Sequence, residues 1–385
     1  MRDGAVHGMR DEARFVSATG EFSYPIGEAR WRAEDGAHIN LAPGRGLKRD
    51  EIRKDERSLW RYARALRVDP ARRVSLGEGW TPLIEHAAGG QPVRMKLEYL
   101  APSGSFKDRG TAVLLSHLRQ VGIDRVLEDS SGNAGASLAT YAAAAGMACR
   151  ILVPAGTALG KITQMTAAGA EVVEIEGSRQ DVAEAALREA EFTFYASHNW
   201  QPFFLEGTKT LAFELWEQLG FEAPDAVVVP LGYGSNVLGC WLGFNELMAR
   251  GDTLRLPRIY GIQAANCAPF DAMFHSGGTA PVAIEVRPTV AEGIASSRPV
   301  RVLEVLDALR GSGGGTIAVG EEDIKGALKR LIRVGFFVEP TSACVLAGID
   351  MLARAGAIRP DETVVAVLTG SGMKALERIQ SLIGE

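Results

Sequence analysis

From about residue 93 onward, short apolar runs alternate with segments in which apolar residues recur at helical spacing. Strands that alternate with helices predict parallel sheets with both faces covered. The first group of predicted strands comprises VRMKLE (93–98), RVLED (125–129), CRILVP (149–154), EVVEI (171–175), FTFYA (192–196) and DAVVVP (225–230). A second sheet is predicted from RIYGIQ (258–263), TIAVG (316–320) and TVVAVLT (363–369).

The first 70 or so residues differ from the rest of the chain. They are rich in Arg, Asp, Glu and Gly and show little periodicity before ERSLWRYARAL (56–66), which predicts one amphipathic helix. A chain of 385 residues also exceeds what one apolar core usually organises. The pattern therefore predicts an N-terminal extension followed by two α/β units.

Net charge, the cysteines and the first residues limit which ligands and which location we expect. A net charge of −5 offers no basic surface for nucleic acid, so we expect a small-molecule ligand. Four cysteines lie far apart without a CxxC pair, which predicts no metal site and no disulfide framework. The first residues do not resemble a signal peptide, and no long apolar run follows. We therefore expect a cytoplasmic protein without a membrane partner.

A lysine stands where a predicted strand gives way to a helix, in PSGSFKDRG (102–110). Lys107 follows Ser105 and Phe106, so we expect it to be partly withdrawn from water. Desolvation lowers the pKa of an amine and raises the fraction that can attack an aldehyde. Taken alone, the segment also fits an ordinary solvated first helical turn.

A polar turn containing glycine follows the next predicted strand, in DSSGNAGAS (129–137). Backbone N–H groups at a helix N-terminus favour an anion such as a carboxylate or a phosphate. The Asn133 side chain is suited to hydrogen-bond a phenolic oxygen. By itself, the turn also fits a plain helix cap in which Ser and Asn serve the turn geometry.

Two later segments place glycines and hydroxyls at the carboxyl ends of strands, where α/β proteins bind ligands. PLGYGSN (230–236) has the layout of a phosphate cradle, although a GxG turn also serves dinucleotide sites and tight turns. VLTGSGMK (367–374) presents Thr369 and Ser371, or else forms only a capping turn. A hydroxyl beside a pyridine nitrogen suits elimination or replacement more than transamination.

Together and in this order, the four segments resemble the threonine synthase-like branch of the fold-type II (tryptophan synthase β-like) pyridoxal-phosphate-dependent enzymes. The resemblance extends over residues 56 to 380 through SLGEGWTPL (75–83), LEGTKTLAFEL (205–215), AEGIA (291–295) and EPTSACVLAGI (339–349). It implies an α/β fold of two open twisted domains with pyridoxal 5'-phosphate between them, and a homodimer. The implied division is an extension (1–70), a larger cofactor domain (71–111 and 206–385) and a smaller α/β domain (112–205).

The resemblance also implies roles for individual residues. Lys107 would be the catalytic residue that carries the cofactor. The cofactor-binding residues would be Lys107, Phe106, Asn133, Gly232, Tyr233, Gly234, Ser235, Asn236 and Thr369. The substrate-binding residues would be Ser130, Ser131, Gly132, Ala134, Phe204 and Tyr233.

Departures from the branch bear on metal and substrate. FVSATGEFSYPIG (15–27) has no cysteine where threonine synthases of this branch often have a cysteine-bearing segment, so we expect no metal. Ala134, Phe204 and Tyr233 stand where the branch commonly has Thr, Arg and Asn. These changes remove most of the charge-assisted bonds that a distal phosphate needs. We therefore expect a substrate other than O-phosphohomoserine.

The leading hypothesis is a lyase or synthase that eliminates or replaces a group at Cβ or Cγ of a small amino acid. The alternatives are threonine synthase itself, with the phosphate held by His198, Asn199 or Lys161, and a threonine or serine dehydratase. A protein that binds the cofactor without catalysis belongs to a different class. A nicotinamide dehydrogenase is disfavoured because no full GxGxxG is followed by a suitably spaced acidic residue.

Overall fold

The computed structural model describes residues 13–88, 90–278 and 282–384. The strands are β1 Arg14–Ser17, β2 Ser23–Pro25, β3 Ile39–Leu41, β4 Leu83–Ala88, β5 Gln91–Lys96, β6 Arg125–Glu128, β7 Ala148–Pro154, β8 Glu171–Ile175, β9 Phe194–Tyr195, β10 Ala226–Pro230, β11 Arg258–Ala264, β12 Gly315–Val319 and β13 Val364–Val367.

The α-helices are α1 Lys107–Gln120, α2 Asn133–Ala145, α3 Leu159–Ala167, α4 Arg179–Glu189, α5 Pro202–Thr208, α6 Thr210–Gln218, α7 Ser235–Ala249, α8 Pro269–Ser276, α9 Val302–Gly311, α10 Glu321–Arg333, α11 Pro340–Arg354 and α12 Leu376–Gly384. Short 3-10 helices span Arg49–Glu51, Leu59–Ala65, Pro70–Arg72, Glu98–Leu100, Ala265–Cys267, Glu292–Ile294 and Gly372–Ala375.

The chain divides into two compact units. Unit 1 comprises the residues up to Glu78 together with Lys107–Thr208, and unit 2 comprises Gly79–Phe106 together with Lys209–Glu385. Their boundaries, after residues 78, 106 and 208, lie close to the predicted ones after 70, 111 and 205 without coinciding with them.

Unit 1 is built on a four-stranded parallel sheet in the order β8-β7-β6-β9. The apolar residues of β6 and β7 are buried, as expected for strands that are covered on both faces. Helix α1 is buried from Asp108 to Leu118. A small antiparallel sheet, β2-β1-β3, precedes it in the chain.

The residues predicted as a separate extension are grouped with unit 1. Phe15, Ile39 and Trp60 are buried in the same apolar cluster as Leu114 of α1. The predicted helix over 56–66 is wrong, because the chain there forms a 3-10 helix with a break at Tyr62. Almost every side chain of this segment is buried, so it lacks the polar face that an amphipathic surface helix needs.

Unit 2 contains a six-stranded sheet in the order β12-β11-β10-β13-β5-β4. All its neighbouring strands are parallel except the edge pair β4 and β5. Together with the sheet of unit 1, it confirms the predicted fold class of two open α/β sheets.

Two predicted sheet memberships are wrong. The strand pattern groups VRMKLE and DAVVVP with the strands of unit 1, although the division implied by the resemblance places both in the larger domain. In the structure β5 and β10 both pair with β13 in unit 2. The pairing of β5 with β13 joins strands far apart in sequence, because residues 107–208 form unit 1 between them. The division between the units falls beside Lys209, between α5 and α6.

No helix within the described ranges is both long and apolar enough to cross a membrane.

Candidate functional site

The predicted site residues are distributed over both units. Unit 1 contains Lys107, Ser130, Ser131, Gly132, Asn133, Ala134 and Phe204. Unit 2 contains Phe106, Gly232, Tyr233, Gly234, Ser235, Asn236 and Thr369.

Lys107 is the first residue of α1 and is partly buried. Its Nζ lies 5.6 Å from the centroid of the Phe204 ring, which is 1% exposed. Gly110, one turn along α1, makes room for this ring, because a Cβ at that position would lie 2.4 Å from Phe204 Cδ2. The local packing therefore places an aromatic face, rather than water, beside the amine.

The turn before α2 brings the backbone of Ser130 against the helix. A Cβ on Gly135 would lie 2.0 Å from the Ser130 carbonyl oxygen, so only glycine permits this approach. Gly132 is the N-cap residue, and within the described chain no side chain caps the helix. The first turn, beginning at Asn133, thus has N–H groups without intrahelical acceptors, as expected for an anion-binding turn.

A buried carboxylate and a buried imidazole lie at the carboxyl ends of β6 and β9. His198 N donates to Glu128 Oε2 at 3.2 Å, and His198 Nδ1 lies 3.5 Å from Glu128 Oε1. Burial raises the pKa of the Glu128 carboxyl above its usual range. Burial and the charge of Lys107 hold the pKa of His198 well below its usual range, so its imidazole is neutral near pH 7.

His198 and Lys107 both lie near the Phe204 ring. The ring centroids of His198 and Phe204 are 5.6 Å apart, and Lys107 Nζ lies 5.6 Å from the Phe204 centroid. Because His198 is neutral, it supplies no positive charge for a distal phosphate. Lys161, another suggested phosphate ligand, is exposed on α3, and Asn199 is buried.

Asp129 was not identified from sequence, although it directly precedes the predicted substrate turn. It is 3% exposed, and its Oδ1 accepts a hydrogen bond from Tyr195 Oη at 2.7 Å. Arg179 Nη1 lies 2.8 Å from Asp129 Oδ2. A pair separated by 50 positions gives no periodic signal, so it becomes visible only in the structure.

The glycine loop of unit 2 joins β10 to α7. Gly234 is the N-cap residue with φ +92°, and within the described residues no side chain caps this helix. A Cβ on Gly234 would lie 2.3 Å from Val305 Cγ2, and one on Gly232 would lie 3.2 Å from Gly293 O. Close packing therefore requires glycine at position 234, and a Cβ at position 232 would make a tight contact.

Neighbouring polar side chains in this loop are also withdrawn from solvent. Ser235 is 7% exposed and Asn236 is 3% exposed, while Tyr233 is half-buried. Among the described residues, Asn236 Oδ1 has no hydrogen-bond partner. A buried, unpaired amide oxygen beside an uncapped helix start is a polar position that a bound ligand could satisfy.

Thr369 follows β13 in unit 2. Phe106 N donates to the Thr369 carbonyl oxygen at 2.9 Å, and Lys107 is the next residue along the chain. The Thr369 and Ser342 hydroxyl oxygens are 3.2 Å apart, and Ser342 Oγ accepts from Gly370 N at 2.9 Å. A bonded pair of neutral hydroxyls therefore lies at this strand end, and sequence inspection had singled out only Thr369.

The buried side chain of Ser105 lies beside this strand end, because Ser105 forms a β-bridge with Gly370. Within the described chain its Oγ has no hydrogen-bond partner. Glu339 packs against the same backbone, since a Cβ on Gly370 would lie 2.2 Å from Glu339 Oε1.

These features fit pyridoxal phosphate. Lys107 offers an amine, the Gly232–Asn236 loop offers a glycine cradle at a helix start, and Thr369 offers a neutral hydroxyl. The unpaired buried hydroxyl of Ser105 lies beside Thr369, because Ser105 forms a β-bridge with Gly370. The donor set matches an aldehyde, a phosphate and a pyridine nitrogen without requiring a metal.

Comparison with known proteins gives concordant matches. The family model described as "Pyridoxal-phosphate dependent enzyme" matches residues 74–370. A threonine synthase of Methanocaldococcus jannaschii is 38% identical over 85% of this chain and 83% of its own length. A threonine synthase of Methanosarcina acetivorans is 38% identical over 84% and 82%, respectively. The solved processed form of threonine deaminase isoform 2 from Solanum lycopersicum matches in fold, with a TM-score of 0.70, 22% identity and coverage of 89% and 91%.

Proposed function

Because the chain belongs to the family of pyridoxal-phosphate dependent enzymes, we propose that it eliminates or replaces a group at Cβ or Cγ of a small amino acid. The observation that carries this proposal is the partly buried Lys107 amine at the start of α1, beside the Phe204 ring. An amine at this position is the nucleophile that attack on the cofactor's aldehyde requires.

Four segments supply the residues that would hold pyridoxal 5'-phosphate. Gly232, Gly234, Ser235 and Asn236, with Tyr233 between the glycines, would bind the phosphate through the start of α7. Asn133 would donate to the 3'-oxygen, Thr369 would face the ring nitrogen, and Phe106 would position Lys107. When bound, the cofactor supplies an electron sink for the charge that develops at Cα.

The chain's own residues supply the remaining functions. Lys107 would remove and return a proton at Cα, as a general base and acid. The turn Ser130–Ala134 would bind the substrate carboxylate at the start of α2. The Thr369–Ser342 hydroxyl pair would keep the ring nitrogen hydrogen-bonded rather than fully protonated, which favours elimination or replacement.

The substrate has two candidate classes. The apolar Phe204 and Ala134 support a distal group other than phosphate. The relatives named threonine synthase do not support that expectation, and they favour O-phosphohomoserine as the substrate of a threonine synthase reaction. O-phosphohomoserine is accordingly the first compound to test.

The proposal also includes a homodimer, a cytoplasmic location and no partner beyond a small amino acid. Sedimentation of the purified protein would test the dimer, for which a monomer mass would be the contrary result.

A substrate panel tests the reaction. The cofactor-loaded protein is mixed with O-phosphohomoserine, threonine or serine, and release of phosphate, threonine and 2-oxo acid is measured. Threonine and phosphate together identify a threonine synthase, whereas 2-oxo acid without phosphate identifies a dehydratase. Absence of turnover with every β- or γ-substituted amino acid would contradict the proposal and favour a non-catalytic cofactor-binding protein.

A further inference from the structure

The Arg179 side chain crosses the carboxyl edge of the unit 1 sheet. Arg179 begins α4, which follows β8, whereas its partner Asp129 follows β6, and β7 lies between these strands. The ion pair therefore joins the segments that follow β8 and β6 at the carboxyl edge of the sheet. This is the edge at which open parallel sheets bind ligands.

The guanidinium is held by a fixed, buried carboxylate. Asp129 receives Arg179 Nη1 on one oxygen at 2.8 Å and Tyr195 Oη on the other at 2.7 Å. Asp129 and Tyr195 are nearly inaccessible, whereas the Arg179 side chain is 42% exposed. A charge-assisted bond to a buried partner orients the guanidinium, and its exposed part can be reached by a ligand.

Arg179 belongs to the same neighbourhood as Lys107. The charges of Lys107 and Arg179 both lower the pKa of Glu128, and both lower that of His198. The two cations therefore lie near one buried carboxylate–imidazole pair. Contacts link the same groups: Glu128 directly precedes Asp129, the partner of Arg179, and contacts His198. The His198 ring lies 5.6 Å from the Phe204 ring, whose centroid is 5.6 Å from Lys107 Nζ.

We propose that Arg179 is a specificity-determining residue that binds an oxyanion group on the side chain of the amino-acid substrate. The inference rests on the proposed function and specifies its substrate class. Phe204 stands where the threonine synthase-like branch commonly has an arginine. Arg179, on α4, would supply the guanidinium that binds the oxyanion instead. Asp129 and Tyr195 are positioning residues, because they act by fixing Arg179.

Three esters of homoserine that differ in the charge of their distal group test whether Arg179 binds an anion. O-phosphohomoserine carries a phosphate, O-succinylhomoserine carries a carboxylate, and O-acetylhomoserine is uncharged. KM and kcat are measured for each ester with the cofactor-loaded protein and with Arg179→Gln, Arg179→Lys and Arg150→Gln. Arg150 is the matched control, because it is a partly exposed arginine of β7 paired with Glu171 and Glu189.

Arg179→Gln is expected to raise KM for the accepted anionic ester about 10- to 100-fold, with kcat little changed. The acetyl ester is expected to change less than about twofold, because it has no charge for a guanidinium to bind. Arg179→Lys should give an intermediate KM, since lysine keeps the charge and loses the planar fork. The Arg150→Gln variant should match the parent protein with all three esters.

Inorganic phosphate provides a readout that does not depend on turnover. Phosphate should raise the unfolding temperature of the cofactor-loaded parent and of Arg150→Gln, but not that of Arg179→Gln. Stabilisation that depends on Arg179, without turnover of any amino acid, would uphold the anion site and contradict the proposed reaction. The inference would be overturned if phosphate raised the unfolding temperature equally in the parent and in Arg179→Gln. It would also be overturned if Arg179→Gln raised KM equally for the charged and the uncharged esters.

Discussion

The surroundings of Lys107 and the glycine loop of unit 2 present different kinds of chemical group. Around Lys107, titratable side chains dominate, and burial shifts the pKa values of Glu128 and His198 away from their usual ranges. In Gly232–Asn236 the groups are backbone N–H donors and uncharged side chains, positioned by contacts that only glycine permits. Under the proposed function, chemistry at the first region would depend on charge and pH, whereas binding at the second would depend on packing.

This difference predicts opposite consequences of substitution. Changes near Lys107 should alter reaction rates and pH behaviour, while changes in the glycine loop should weaken cofactor binding and leave the chemistry of bound cofactor intact. Four experiments test the contrast.

The largest expected effect is at Lys107. In Lys107→Ala, turnover of any accepted amino acid should fall by about 10⁴-fold or more, because both the covalent link and the general base are lost. Steady-state kinetics measure the loss. Lys54→Ala, at an exposed lysine of the same unit, is the control and should be unaffected. Comparable turnover in Lys107→Ala and the parent would exclude Lys107 as the catalytic residue.

Phe204→Ala should destabilise the protein by about 3–5 kcal/mol, because it leaves a cavity beside Gly110 and Lys107. Urea unfolding of the cofactor-free protein measures this change. Phe192, which is 88% exposed, is the matched control, and its replacement by Ala should cost less than about 0.5 kcal/mol. Equal costs for the two variants would show that the Phe204 ring is not packed as described.

Gly234→Ala should cost about 1–3 kcal/mol more than Gly251→Ala. Both glycines have positive φ, +92° and +77°, but a Cβ meets Val305 only at Gly234 and open space at Gly251. The comparison therefore separates crowding from backbone strain. Cofactor titration should also show a larger dissociation constant for Gly234→Ala than for the parent, and an unchanged one for Gly251→Ala.

Val305→Ala in the Gly234→Ala background tests whether crowding by Val305 causes the weaker cofactor binding. Removing the two Val305 methyl groups that the new Cβ would meet should recover part of the lost cofactor affinity. Unchanged affinity in the double variant would argue against Val305 as the source of the crowding.

The smallest expected effect is the pH dependence caused by His198. Its pKa is lowered in the folded protein, so the unfolded chain binds a proton that the folded chain does not. The contribution of His198 to stability should therefore decrease as pH falls below about 6.5, by up to about 1.4 kcal/mol per pH unit. Buried His117 contributes with the same sign, and Glu128, whose pKa is raised, contributes with the opposite sign. Urea unfolding between pH 7.5 and 5.5 should show this slope reduced in His198→Gln.

A matched substitution, His275→Gln, changes a histidine whose side chain is 64% exposed and should leave the slope as in the parent. Identical slopes in the parent and His198→Gln would indicate that the buried imidazole does not titrate as described.

Local sequence patterns predicted the strand–turn–helix segments and the residues at their junctions. RVLED and CRILVP correspond to β6 and β7, because buried parallel strands form apolar runs, and EVVEI corresponds to the partly exposed edge strand β8. Lys107 begins α1 and Asn133 begins α2, as polar residues at strand-to-helix turns suggested.

Long-range pairing was not predictable in the same way. The pairing of β5 with β13 joins segments separated by most of the chain, and no local periodicity encodes it. The 3-10 helix Leu59–Ala65 follows from burial of nearly all its side chains, which single-face periodicity could not indicate. The Asp129–Arg179 pair depends on the order of strands in the sheet, so sequence inspection missed it.

Reductive trapping tests the central claim most directly. The parent protein and Lys107→Ala are each loaded with pyridoxal 5'-phosphate, reduced with borohydride and digested, and the peptides are measured by mass spectrometry. The account predicts a phosphopyridoxyl group on Lys107 in the parent and no stable labelling in the variant. A label on another lysine, or equal labelling of both proteins, would contradict the assignment of Lys107 as the residue that carries the cofactor.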